Sequence, residues 1–113
     1  MKRIRFVGSV KEDLTAFPLA PRIRAGHELF MVQVGRDPED WRPMSAIGPG
    51  AREIRVRDAA GAFRVIYVAR FEDAVYVLHA FQKKTQKTSR ADLELAKERY
   101  RIARELAQGA KHD

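Results

Sequence analysis

Through the second half of the chain apolar and polar positions alternate, and on both sides of that region apolar residues recur at helical spacing. Residues 53–57, 62–71 and 74–83 are rich in Val, Ile, Tyr and Phe, with turn-like breaks at 58–61 and at Glu72-Asp73. Period-two patterning bounded by such turns predicts a meander of antiparallel strands. Residues 3–7 predict a short first strand, and 11–17 one or two helical turns stopped by Pro18. A helix is predicted from about Pro21, since proline is tolerated in a first turn, to a stop at Gly35. Along it Ile23, His27, Phe30, Met31 and Val34 recur at helical spacing and are expected to face a core. Residues 36–50 contain Pro38, Pro43, Gly48, Pro49 and Gly50 and read as a loop, with Trp41 and Met44 tucked against the body.

A final helix is predicted over about 89–108. Ser89 followed by Asp92 resembles a capping box. Leu93, Ala96, Tyr100, Ala103 and Ala107 form one stripe, with Leu95, Ile102 and Leu106 beside it. Gly109 is expected to end the helix, leaving a polar tail that includes His112. The whole, residues 1–113, reads as a single α+β domain.

Turn lengths carry this pattern to a register. A tight turn at Glu72-Asp73 sets Phe71 opposite Ala74, Tyr67 opposite Leu78, Ile66 opposite His79, Val65 opposite Ala80 and Arg64 opposite Phe81. A turn over 58–61 sets Arg57 opposite Ala62 and Arg55 opposite Arg64. Because side chains alternate, Ile54, Val56, Val65, Tyr67, Tyr76, Leu78 and Ala80 are expected on one core face. Arg55, Arg57, Arg64, Ile66, His79, Phe81 and Lys83 are expected on the other. Facing Arg55 and Arg64 repel at a cost on the order of 0.2–1 kcal/mol, which a bound phosphate relieves. The alternatives are neutralisation by Glu53 or Glu72, or a bulge between the two arginines.

Charge sharpens this picture. The formal net charge is +7, which favours a polyanionic partner or an acidic protein. Lys83, Lys84, Lys87 and Arg90 follow one another with no acid until Asp92, a placement suited to steering phosphates. The chain has no cysteine, which excludes disulfides and cysteine-ligated metals. No apolar run is long enough for a membrane span or a signal peptide, so a cytoplasmic location without membrane partners is expected. No paired-carboxylate or metal site is apparent, and no cofactor is implied.

The strings Arg52-Glu53-Ile54-Arg55, Phe63-Arg64-Val65-Ile66-Tyr67, Leu78-His79-Ala80-Phe81-Gln82-Lys83-Lys84-Thr85 and Glu94-Leu95-Ala96 resemble the phage-derived HigB-like branch of the RelE/ParE toxin superfamily. The resemblance runs from about Arg3 to Arg104. It implies a compact RelE-like fold, a twisted antiparallel sheet with N-terminal helices and a C-terminal helix. It also implies the toxin of a type II toxin–antitoxin pair: a ribosome-dependent mRNA endonuclease (mRNA interferase) that inhibits translation. Such a toxin is held in check by a cognate helix-turn-helix antitoxin. By matching positions, Arg64 corresponds to the catalytic arginine of the middle strand, Arg55 to a basic position on the strand before it, and Lys83 and Lys84, loosely, to the basic position at the end of the last strand.

RNA can be cut without metal by attack of its own 2′-hydroxyl on the adjacent phosphorus. Arginines suit stabilisation of the phosphoryl charge and are poor bases. Arg64, Arg55, Lys83 and His79 are therefore the candidate catalytic residues, His79 being the one histidine on the proposed face able to act as acid or base. A structural role, donating to a backbone carbonyl, is equally open to His79. Arg57, Phe81, Lys84, Lys87 and Arg90 are the candidate RNA contacts. Phe81 either stacks on a base, worth roughly 1–3 kcal/mol, or lids Ile66. Glu53 reads as an orienter of Arg55 or Arg64. Two rival functions use the same chain: a ParE-like, non-catalytic inhibitor of DNA gyrase, and a non-toxic phage-derived module that binds nucleic acid or protein.

Overall fold

The computed structural model describes residues 1–85 and 87–111, the side chain of Lys111 excepted; His112, read above as tail, lies outside the described residues. The elements run β1 (Arg3–Phe6), α1 (Val10–Thr15), α2 (Leu19–Gln33), β2 (Trp41–Pro43), β3 (Ala51–Asp58), β4 (Gly61–Val68), β5 (Ala74–Lys83) and α3 (Arg90–Lys111). They form a five-stranded sheet in the order β1-β5-β4-β3-β2. The β2–β3–β4–β5 meander is antiparallel, but β1 lies parallel to β5, so the sheet is mixed.

The predicted register holds across the middle of the sheet. Arg55 is opposite Arg64 and Arg57 opposite Ala62; Arg64 is opposite Phe81, Val65 opposite Ala80 and Ile66 opposite His79. The β3–β4 turn is tighter than expected. Asp58 pairs with Gly61, whose φ of +134° suits glycine, and the Asp58 carboxylate accepts from the Ala60 amide at 2.8 Å.

Beyond Ile66 the register slips. Tyr67 pairs with Val77 and Val68 with Tyr76, so Leu78 is an extra residue in β5. The expected Tyr67–Leu78 pairing does not form, and β4 ends at Val68 rather than near Phe71. A bulge inverts the alternation on one side of itself. Tyr76 and Leu78, expected on the first core face, therefore join Ile66, Val68, Ala96, Tyr100 and Ala103 on the other. The Arg99 guanidinium, buried under this bend, donates to the Leu78 carbonyl at 3.0 Å and to the Ser9 hydroxyl at 3.1 Å.

Both faces of the sheet are thus covered. One carries α1 and α2, with Val10, Leu14, Ala25, Leu29 and Val32 against Ile54, Val56, Phe63, Val65, Tyr67 and Val77. The other carries α3 over β5 and part of β4. α2 turns a different face inward from the one expected. Pro21, Ala25, Glu28, Leu29 and Val32 are buried, whereas Ile23, His27, Phe30 and Val34 are exposed. Glu28 is at home there because it accepts from Arg24 Nε at 3.1 Å and from the Glu39 amide at 2.7 Å. α2 stops at Gly35 (φ +87°), with Arg36 N–H donating to Met31 O and Gly35 N–H to Val32 O, a Schellman end. α3 opens on the expected cap: the Asp92 amide donates to Ser89 Oγ at 3.1 Å, and Ser89 Oγ donates back to Asp92 Oδ2 at 2.6 Å. It continues through Gly109 to Lys111 instead of ending there, and Leu95 and Leu106 of the expected second stripe are exposed.

Candidate nucleic-acid interface

α3 covers only part of the second sheet face. On the rest the register lays basic residues in a grid. Arg42 of β2 is opposite Glu53 of β3. Glu53 is opposite Ile66, and Ile66 opposite His79. The next row is Arg55, Arg64 and Phe81, and the one after it Arg57, Ala62 and Lys83. Cα partners share a face and alternate residues return to it, so Arg42, Arg55, Arg57, Arg64, Phe81 and Lys83 all lie on this surface. Arg42 and Arg57 are exposed; Arg55, Phe81 and Lys83 are half-buried.

Arg64 is different. Its side chain is 1% exposed, as is that of Glu53, whose Oε1 lies 3.4 Å from Arg64 Nε. Arg64 Nη1 donates to the Phe63 carbonyl at 3.0 Å. Burial, then Arg55 and Arg57, hold the Arg64 pKa below the ordinary arginine value against the pull of Glu53. Glu53 also accepts from the Thr88 hydroxyl at 3.1 Å. The carboxylate thus ties the middle strand's arginine to the segment carrying Lys84 and Lys87, both exposed. Arg90, exposed as well, begins α3. These cations border the grid rather than sitting inside it.

His79 is engaged on three sides. Its Nε2 lies 2.6 Å from Asp92 Oδ1, its ring stacks on Phe81 with centroids 4.8 Å apart, and its side chain is 8% exposed. Nδ1 is buried without a partner among the described residues. The role resembles the structural alternative, with the α3 cap carboxylate in place of a backbone carbonyl. His79 clamps the start of α3 to the sheet and sets the plane of Phe81.

Lys83 is the second group, after Arg64, whose proton affinity the site lowers. Desolvation, then Arg64, Arg55 and Arg42, depress its pKa below the ordinary lysine value, with Glu53 opposing. A half-buried amine among cations releases its proton more readily than a free lysine. Sequence reasoning missed three participants. Arg42 stood in a stretch that prolines marked as loop but that forms the edge strand β2. Thr88 and Asp92 act through contacts across the fold, which no local pattern encodes. Among the described residues no group of His, Asp or Glu is placed to hold a metal ion, and no helix is long and apolar enough to cross a membrane.

The mixed five-stranded sheet, with paired N-terminal helices on one face and a long C-terminal helix on the other, is an α+β domain of RelE-like architecture. A family model of phage derived proteins, Gp49-like (DUF891), matches residues 12–101, and the chain belongs to that RelE/toxin-like family. No curated protein matches the chain.

Proposed function

We propose that this protein is the toxin of a type II toxin–antitoxin pair, of the HigB-like branch, and that it cuts mRNA on the ribosome. One observation carries the reading: Arg42, Arg55, Arg57 and Lys83 converge on the part of the sheet that α3 leaves open, around the buried Arg64–Glu53 pair. Glu53 offsets the charge of Arg64, the neutralisation left open above; the remaining like charges are unfavourable for the sheet and favourable for a phosphodiester.

In the proposed reaction the substrate's 2′-hydroxyl gives its proton to water or to a group of the ribosome and attacks phosphorus, the P–O5′ bond breaks, and a 2′,3′-cyclic phosphate forms. Arg55, Arg57 and Arg42 stay protonated and stabilise the charge that grows on the phosphoryl oxygens. Lys83, with its depressed pKa, delivers a proton to the departing 5′-oxygen. Phe81, held by His79, offers a face for a base. Arg64 and His79 act as positioning residues: the first fixes Glu53 and, through it, Thr88; the second fixes Phe81 and α3. The ribosome supplies the alignment of the mRNA, and a helix-turn-helix antitoxin restrains the toxin.

Burial of Arg64 and the engagement of His79 with Asp92 favour a second reading, a ParE-like gyrase inhibitor that needs no acid or base. Purified protein separates the two. The first reading expects cleavage of mRNA bound in programmed ribosomes, much less cleavage of naked mRNA, and loss of cutting in Arg55→Gln. Intact mRNA together with inhibited DNA supercoiling by gyrase would replace it with the second.

A further inference from the structure

A separate basic cavity lies on the far side of the sheet, where the end of α2 meets the start of β3 and the end of β4. It holds about 340 Å³ and is lined in part by Lys2, Arg36, Arg52, Tyr67, Arg70 and one acid, Asp37. Tyr67 packs with the α2 face of the sheet, so the cavity is distinct from the grid of Arg55 and Lys83.

Its polar groups are prepared for an acceptor. The Tyr67 hydroxyl is buried beside Arg52, which can only donate to it, so its own proton has no acceptor among the described residues. Burial holds the phenol above its ordinary pKa despite the adjacent Arg52, so it remains a donor. The Arg52 guanidinium lies over the Trp41 ring at 3.9 Å and donates to Asp37 at 2.9 Å. That bond is an internal example of a carboxylate meeting this fork. Arg36 and Arg70 are exposed and take part in no ion pair among the described residues. Lys2 adds its charge while its ammonium donates to the Ala69 and Phe71 carbonyls.

The surroundings narrow the ligand. The outward face of α2 exposes Leu19, Ile23, Phe30 and Val34, which recur at helical spacing as one stripe. Val34 stands between Gln33 and Gly35, both at the wall of the cavity. An apolar stripe that ends in a cationic cavity does not suit an RNA backbone, whose phosphates would lie along apolar side chains. It suits a peptide with apolar residues along one side and a carboxylate at one end. We propose that this surface docks an acidic amphipathic helix of a protein partner, its Asp or Glu side chain entering the cavity to accept from Tyr67 and the arginines.

Trp41 is the one tryptophan, and its contact with Arg52 makes its fluorescence a local probe. The full-length protein is titrated with a short synthetic peptide bearing leucines at helical spacing and glutamates at one end. Its glutamine counterpart, an oligouridylate and inorganic phosphate are titrated in parallel. The proposal expects a saturable Trp41 response to the glutamate peptide alone. Tyr67→Phe and Arg36→Gln should each weaken binding about tenfold, the effect of one charge-assisted hydrogen bond. Phe30→Ser should weaken it too. Arg36 is exposed past the helix end, so Arg36→Gln keeps the test sound if Tyr67→Phe impairs folding. Equal binding of the glutamine peptide, undiminished binding by Arg36→Gln, or saturation of the same signal by oligouridylate or phosphate alone would overturn it. No RNA cleavage is read, so the outcome is independent of the activity proposed above.

Discussion

At the scale of single residues, Lys83 and Glu53 carry the account. In the proposed reaction Lys83 serves as the acid, so its protonated form is the active one. Cleavage should be constant at low pH and fall as pH rises through the depressed Lys83 pKa. Removing a neighbouring cation relieves that depression. In Arg42→Gln the alkaline limb should therefore move to higher pH, which a pH–rate profile on programmed ribosomes reads directly. An unmoved limb would assign the proton to another group. Glu53 and Arg64 are a buried pair, and taking away one member leaves the other charge unpaired. Glu53→Gln should cost roughly 3–5 kcal/mol in urea unfolding, and joining it to Arg64→Met should recover a large part of that. A surface-sized loss in Glu53→Gln would show that the pair is solvated. The same burial makes Arg64→Ala a poor activity control, since it removes a core side chain along with a charge.

At the scale of elements, the bulge at Leu78 decides which side chains reach which face. It is held from below by Arg99, whose guanidinium occupies the space beside Gly8. A Cβ on Gly8 would sit 2.8 Å from Arg99 Nε, and Gly8 has φ +64°. Gly8→Ala should thus lose roughly 1–2 kcal/mol from the left-handed backbone alone, plus the cost of moving Arg99. Its thermal midpoint should fall by about 4–8 °C per kcal/mol; an unchanged midpoint would mean that Arg99 is not a fixed strut. Much at this scale was legible in the sequence. Four of the five strands, the helix ends at Gly35 and Ser89, and the Arg55–Arg64 and Ile66–His79 pairings follow from alternation and turn chemistry, whereas the residues of β2 read as loop and those of β4 as a strand three residues longer. The bulge was not legible, because an extra residue leaves the local composition of β5 unchanged. The inward face of α2 was misread because both its faces are apolar. The larger residues, Ile23, Phe30 and Val34, point outward, while Pro21, Ala25 and a hydrogen-bonded Glu28 are buried. The candidate site was legible as a set of cations on one face, but the burial of Arg64, the His79–Asp92 contact and the arrival of Arg42 from an edge strand depend on tertiary packing.

At the scale of the whole molecule, a net charge of +7 is divided between two differently built surfaces. One is a grid of cations proposed to meet phosphates; the other is a cationic cavity beside an apolar helix face. The first predicts a definite salt dependence. If Arg42, Arg55, Arg57 and Lys83 each meet a phosphate of single-stranded RNA, log K should fall against log salt with a slope of about −3. Fluorescence anisotropy of a labelled RNA measures it, and a slope near zero would remove the grid as the contact surface.

The most direct test of the central claim is a map of new mRNA 5′ ends on translating ribosomes after brief expression in bacteria, wild type beside Arg55→Gln and Lys83→Gln. The account predicts cuts inside codons in the wild type that vanish in both variants while each variant remains folded. Growth arrest with intact mRNA, or cuts that persist in both variants, would contradict it.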